Sequence, residues 1–122
     1  MASSEYDLII VGGGLTGASL AVALADSNLR IAVVEAYAPD ASAQPGYDER
    51  TIALTYSSRH IYDQIGVWDN ALAEEACAIE SIHISNKGHL GLTRLSCQDA
   101  CTPALGYVVP TRALGAALHR RM

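Results

Sequence analysis

Apolar residues change their spacing several times along this chain, and each change marks a new element. Leu8-Ile9-Ile10-Val11 is an unbroken apolar run of strand length, ended by Gly12-Gly13-Gly14. Beyond the glycines, Gly17, Leu20, Ala21, Leu24 and Ala25 recur at i, i+3, i+4, i+7 and i+8, which predicts a helix laying that small-to-apolar face on a sheet. Asp26-Ser27-Asn28 stops the helix. Ile31-Ala32-Val33-Val34 then predicts a second strand, parallel to the first because such crossovers are right-handed.

From Ala36 to Asp48 the pattern dissolves into Pro39, Asp40, Ser42, Pro45 and Gly46, a loop long enough to be a candidate for function. Ser57 or Ser58 is expected to cap a helix running through Ile61 and Ile65 to a left-handed stop at Gly66. Val67, Trp68, Leu72 and Ala73 predict a short helix packed on it, and His60 is expected at the surface. The period then falls to two. Ile79 to Ser85 and His89 to Leu95 alternate on either side of Asn86-Lys87-Gly88, predicting a β-hairpin with Ile82 and Ile84 on one face. A hairpin is foreign to a doubly wound sheet, so a second, antiparallel layer is expected in the same chain. Ala104 to Val109 predicts a short strand, and Pro110-Thr111 opens a helix with Leu114 and Leu118 on one side. The fold class expected is α/β: a Rossmann-like βαβ unit with a parallel sheet, plus an antiparallel β-hairpin.

Strand, glycine turn, helix, strand and acid in that order form the layout of a dinucleotide site. Gly12 allows the tight turn off the strand, Gly14 lets the backbone approach a pyrophosphate, and Gly17 lets the helix sit close on the sheet. The unpaired N–H groups at the helix start favour an anion there. The candidate site is therefore Gly12, Gly13, Gly14, Leu15, Thr16 and Gly17, joined by Glu35, which lies 18 residues after Gly17 and can accept hydrogen bonds from a ribose 2′-OH. An acid at that place disfavours a 2′-phosphate, so FAD or NAD is expected over NADP. Arg50 offers forked donors to a pyrophosphate, although an exposed arginine paired with Asp48 or Glu49 explains it equally well. Arg112 stands in the first turn of its helix, where a cation opposes the helix dipole unless an anion partners it.

Composition narrows the reading. Half of the 122 residues are apolar and 17% are charged, as in a globular chain, and a net charge of -5 argues against general nucleic-acid binding. Residues 1–50 hold seven Asp or Glu against two Arg, and Glu5 and Asp7 stand where a secretory leader would be positive. Leu8 to Ala25 is an uncharged run of 18 residues, but its three glycines would break a membrane helix and the strand reading accounts for them. A cytoplasmic protein is expected. Cys77, Cys97 and Cys101 lack zinc-site spacing, so free buried thiols are expected, and no metal. His83 and His89 fit a polar hairpin face as well as a catalytic role, and no catalytic base can be named.

The glycine turn, Glu35, Asp48-Glu49-Arg50-Thr51-Ile52-Ala53-Leu54 and Val109-Pro110-Thr111-Arg112-Ala113-Leu114 together resemble the flavin-dependent aromatic hydroxylases, in particular their ubiquinone-biosynthesis branch. The Asp-x-Arg-x-x-Ala-Leu stretch is much narrower than the glycine motif. The resemblance implies that Gly12, Gly14, Gly17 and Glu35 hold the ADP half of FAD, and that Arg50 and Arg112 lie near the cofactor. It implies an FAD-dependent monooxygenase that uses NAD(P)H and oxygen to hydroxylate a prenylated phenol. Such a substrate implies contact with a membrane surface, peripherally at the inner membrane, or with partners in a ubiquinone-biosynthesis complex. Family members are about three times longer and carry further Asp-Gly and Gly-Asp motifs. Residues 1–122 are therefore expected to be the N-terminal part of an FAD-binding domain, a truncated FAD/NAD(P)-binding domain inactive by itself. Two other readings compete: a non-catalytic nucleotide-binding module, and another FAD oxidoreductase sharing only the βαβ unit.

Overall fold

The computed structural model describes residues 5–37 and 50–122, so most of the expected loop from Ala36 to Asp48 lies outside the described residues. Strand β1 (Leu8–Val11), helix α1 (Leu15–Ala23) and strand β2 (Ile31–Val34) form the expected βαβ unit, with β1 and β2 parallel and Val11 opposite Val34. Arg30 ties the entrance of this pair together, its guanidinium and backbone N–H both donating to Asp7.

The buried face of α1 departs from the expected one. Ala18 and Val22 are the buried residues, whereas Leu20 is 47% exposed. The two-stranded sheet is too narrow to cover the whole predicted stripe, and a later helix draws the neighbouring face inward instead.

Strand β3 (Thr51–Thr55) leads directly into helix α2 (Tyr56–Gln64). Thr55, not Ser57 or Ser58, is the cap: its side chain accepts from the Ser58 N–H at 3.1 Å, because the chain leaves extended geometry at Thr55 and the serines already lie in the first turn. Gly66 stops the helix with φ +75°, as predicted. Asp69 caps the short helix α3 (Asn70–Glu75), so Val67 and Trp68 precede that helix rather than begin it.

Strand β4 (Cys77–Ile79) separates from the predicted hairpin, which comprises β5 (Ser81–Ser85) and β6 (Leu92–Ser96) with Ile82 opposite Leu95. Strand β7 (Gly106–Pro110) lies between β3 and β4, antiparallel to both, so the antiparallel sheet is built from these three strands, whereas the hairpin from which a second layer was expected forms a two-stranded sheet of its own. Helix α4 (Thr111–Arg121) follows without a gap. Its Leu114 and Leu118 are fully buried, and with Ala18, Val22, Leu54, Val67, Leu72 and Val109 they make the core shared by α1, α4 and the antiparallel sheet. Cys77 and Cys101 are exposed, which corrects the expectation of buried thiols: they sit on an edge strand and a turn that no layer covers.

Candidate dinucleotide site

The glycine turn has the geometry its residues promised. Gly12 takes φ +102°, a left-handed conformation that a side chain would resist. Gly17 brings α1 against the turn so closely that a Cβ there would overlap the Gly12 carbonyl oxygen and crowd Ile10. At Gly14, the N-cap of α1, an added Cβ would meet nothing within 4 Å, so the backbone of the helix start is open to a ligand.

Glu35 follows the last residue of β2 and reaches across to this turn. Its Oε2 accepts from the Gly13 N–H at 2.6 Å, and its Oε1 accepts from the N–H groups of Ala36 at 2.7 Å and Tyr37 at 3.3 Å. The Gly13 donor foremost, then Tyr37 and Ala36, holds the carboxyl below the ordinary glutamate value, and the charge of His119 adds to the effect. Ionised, a carboxylate offers about four acceptor sites. The three bonds here leave capacity for a further donor such as a ribose hydroxyl.

Arg50 and Arg112, 62 positions apart in sequence, are brought to one place by the β3–β7 register. Thr51 lies opposite Pro110, and the Arg50 carbonyl accepts from both the Thr111 N–H at 2.9 Å and the Thr111 hydroxyl at 3.0 Å. Sequence reasoning quoted Thr111 without assigning it this clamp; a hydroxyl at a helix start was the available signal. Arg112 forks onto Glu75, its Nη2 donating to Oε2 at 2.5 Å and Nη1 to Oε1 at 3.3 Å. Glu75 is thus an anionic partner that relieves the conflict between Arg112 and the helix dipole, and the dipole argument alone no longer favours a ligand role. Both partners of that pair border a small cleft between α3 and α4 with Ala71, Ala116 and Arg120.

One turn along α4, Gly115 faces the start of α1, where a Cβ would lie 3.8 Å from Leu15 Cδ2. Leu15 packs on the core, while Thr16 is exposed. His60, His83 and His89 are exposed on α2 and on the hairpin. Among the described residues, no group of three or more His, Cys, Asp or Glu could hold a metal ion.

A parallel βαβ unit with an open glycine turn and an acid closing on it, beside an antiparallel layer, defines a flavoprotein-type nucleotide domain. The chain belongs to the FAD dependent oxidoreductase family, which it matches over residues 7–117. FAD is that family's cofactor, and the open approach at Gly14 beside Glu35 fits its ADP half.

Among its relatives, the ubiquinone hydroxylase UbiL of Rhodospirillum rubrum is 34% identical over 121 residues, covering 99% of this chain and 28% of that protein. The 3-demethoxyubiquinol 3-hydroxylase of Escherichia coli is 29% identical, covering 100% of this chain and 31% of the other. Among solved structures, p-nitrophenol 4-monooxygenase PnpA from Pseudomonas putida DLL-E4 shares the fold with a TM-score of 0.67 at 17% identity, over 93% of this chain and 28% of that one. The chain thus spans between a quarter and a third of the length of these proteins.

Proposed function

We propose that this chain supplies the ADP-holding end of the FAD site in a monooxygenase that hydroxylates the aromatic ring of a prenylated phenol in ubiquinone biosynthesis. The observation that carries the reading is the Glu35 carboxylate fastened to the Gly13 N–H at the mouth of an open glycine turn, in a chain of the FAD dependent oxidoreductase family. Two relatives named as ubiquinone hydroxylases, from Rhodospirillum rubrum and Neisseria meningitidis, support the reaction class. Within that class, Gln44-Pro45-Gly46-Tyr47-Asp48 and Ile82-His83-Ile84-Ser85-Asn86-Lys87-Gly88-His89 look most like 2-octaprenyl-6-methoxyphenol hydroxylase, which is the finer part of the proposal.

In this reading, Gly12, Gly13, Gly14, Leu15, Thr16 and Gly17 form the wall on which the pyrophosphate rests. The first N–H groups of α1 face its charge, and Glu35 orients the adenosine ribose. We assign Arg50 and Arg112 to the other end of the same site on the family resemblance, which is supported by the Arg50 carbonyl accepting from Thr111, the residue before Arg112. When bound, the flavin supplies the redox chemistry, taking electrons from NAD(P)H and activating oxygen, while the protein positions it and keeps the reacting end dry. No described helix is long and apolar enough to cross a membrane, and a peripheral contact with a membrane-held substrate is part of the proposal. Residues 1–122 are on this reading the first part of an FAD-binding domain.

A polypeptide of the relatives' length with these residues at its amino end is expected to purify yellow. It should couple NAD(P)H oxidation to the gain of one oxygen by a prenylated phenol, read by mass spectrometry. Colourless protein, or NAD(P)H oxidation with no oxygenated product, would overturn the proposal. In that polypeptide Glu35→Ala should weaken FAD binding about tenfold, as expected for losing a charged hydrogen-bond acceptor. Unchanged affinity by flavin fluorescence would remove Glu35 from the site.

A further inference from the structure

The hairpin of β5 and β6 stands outside the rest of the fold. It forms a sheet of its own, the core holds none of its residues, and every residue from Ser81 to Leu95 is exposed. At its base the Cys97 N–H donates to the Glu80 carbonyl at 2.9 Å. At its far end residues 86–91 make the turn, with Gly88 at φ +82° and Gly91 at φ +147°.

That far end is apolar and basic at once. Leu90, in the turn, is fully exposed, and Leu92, the first residue of β6, is 68% exposed. Lys87, the chain's only lysine, lies in the same turn, and His89 adjoins Leu90. The register sets Arg94 opposite His83 and Leu92 opposite Ser85, so these four share one face of the hairpin, while Ile82, Ile84 and Leu95 share the other. In a chain of net charge -5, the stretch from Ser81 to Ser96 contains no Asp or Glu. The nearest acids in sequence, Glu80 and Asp99, flank its base, where Asp99 accepts from the Ser96 hydroxyl.

Leucines held in water at the end of a hairpin gain free energy once an apolar medium covers them. Cations set around such an end match a bilayer with anionic headgroups, since the leucines can enter the boundary of headgroups and acyl chains while the cations stay at the phosphates. With leucines in place of stacking aromatics, the tip does not suit a nucleic acid. We propose that the β5–β6 hairpin docks on an anionic lipid surface, inserting Leu90 and Leu92 while Lys87 and Arg94 hold headgroup phosphates. The purpose of this contact, to bring the enzyme to a prenylated phenol held in the bilayer, rests on the proposed hydroxylase function.

Co-sedimentation of this chain with phosphatidylcholine vesicles, with and without phosphatidylglycerol and at low and high salt, tests the proposal. Binding is expected with phosphatidylglycerol present and should fall about tenfold when that lipid is omitted or salt is raised. Replacing both Leu90→Ser and Leu92→Ser should weaken it about tenfold, as should Lys87→Gln together with Arg94→Gln. Circular dichroism of both variants should match the parent, because all four side chains are exposed. Failure to bind anionic vesicles, equal binding to both vesicle types, or binding unchanged by the leucine replacements would overturn the proposal. So would a chain that leaves the vesicles alone and self-associates through the same leucines, which would make the hairpin an interface between copies. The assay needs neither flavin nor phenol. Hydroxylation without vesicle binding therefore sinks the lipid contact alone, and vesicle binding without hydroxylation sinks the reaction alone.

Discussion

Glu35 holds two segments at once, since its carboxylate takes the Gly13 N–H with one oxygen and the Ala36 and Tyr37 N–H groups with the other. These donors favour the ionised form, so the carboxyl titrates below an ordinary glutamate's 4.5. A pKa depressed by folding contributes stability that is present above the unfolded value and is lost as pH falls through the folded one. The Gly13 and Ala36 amide signals are therefore expected to hold steady from neutral pH down to about pH 5 and then to shift together, with a midpoint below 4.5. A midpoint at or above 4.5 would mean that the bonds are not kept in solution. Glu35→Gln should abolish the shared transition. The acid was legible in sequence because its spacing from Gly17 is set by the length of a helix and a strand. Its grip on Gly13 was not, because a bond to a backbone donor leaves no mark on the donor's residue type. Arg112 teaches the same lesson: its need for an anion could be read from its place in α4, but Glu75 could not, since their meeting depends on how α3 packs against α4.

Elements meet in this chain through small residues, and the closeness they allow can be tested. Gly17 sets α1 on the glycine turn with no room for a Cβ against the Gly12 carbonyl oxygen. Because that obstacle is backbone and cannot swing aside, Gly17→Ala should destabilise the chain by about 1–3 kcal/mol, despite alanine's better helix propensity. Urea unfolding of the two proteins checks this, and equal midpoints would show that the helix can stand further off. Strands β1, β2 and β7, the hairpin and both long helices after the second strand were visible in the sequence, because their periods change at glycine, proline or asparagine, whereas strand β3 was not foreseen. The face of α1 was less legible. Apolar and small residues occupy nearly every side of Leu15–Ala23, so periodicity fixes the helix but not its rotation. What turned Ala18 and Val22 inward is the packing with α4, a partner nearly a hundred residues later. The separation of Cys77–Ile79 from the hairpin was hidden for a similar reason, as its pairing with β7 is long-range.

Taken whole, the molecule has one well-covered side and one bare one. The core lies where α1, α4 and the antiparallel sheet meet, and Leu114 and Leu118 have no exposed surface there. On the parallel pair, Ile9 and Val11 alternate with the buried Ile10, which touches the α1 side at Gly17, so they face away from the helix. Val11 is 85% exposed and its register partner Val34 is 53% exposed. Parallel sheets are ordinarily covered on both faces, so these valines contribute little to the stability of the chain as it stands. Leu114→Ala removes packing from the closed side and should cost about 2–5 kcal/mol. Val11→Thr keeps the shape and β-branching on the bare side and should change stability by no more than about 0.5 kcal/mol. Urea titrations of both variants under the same conditions decide the matter. If Val11→Thr proved nearly as costly as Leu114→Ala, and its cost grew with protein concentration, the bare face would be buried in solution by a second molecule. A small, concentration-independent effect would place the folding energy of these 122 residues on the α1–α4 side, with the parallel pair held chiefly by its ladder, Asp7 and Glu35.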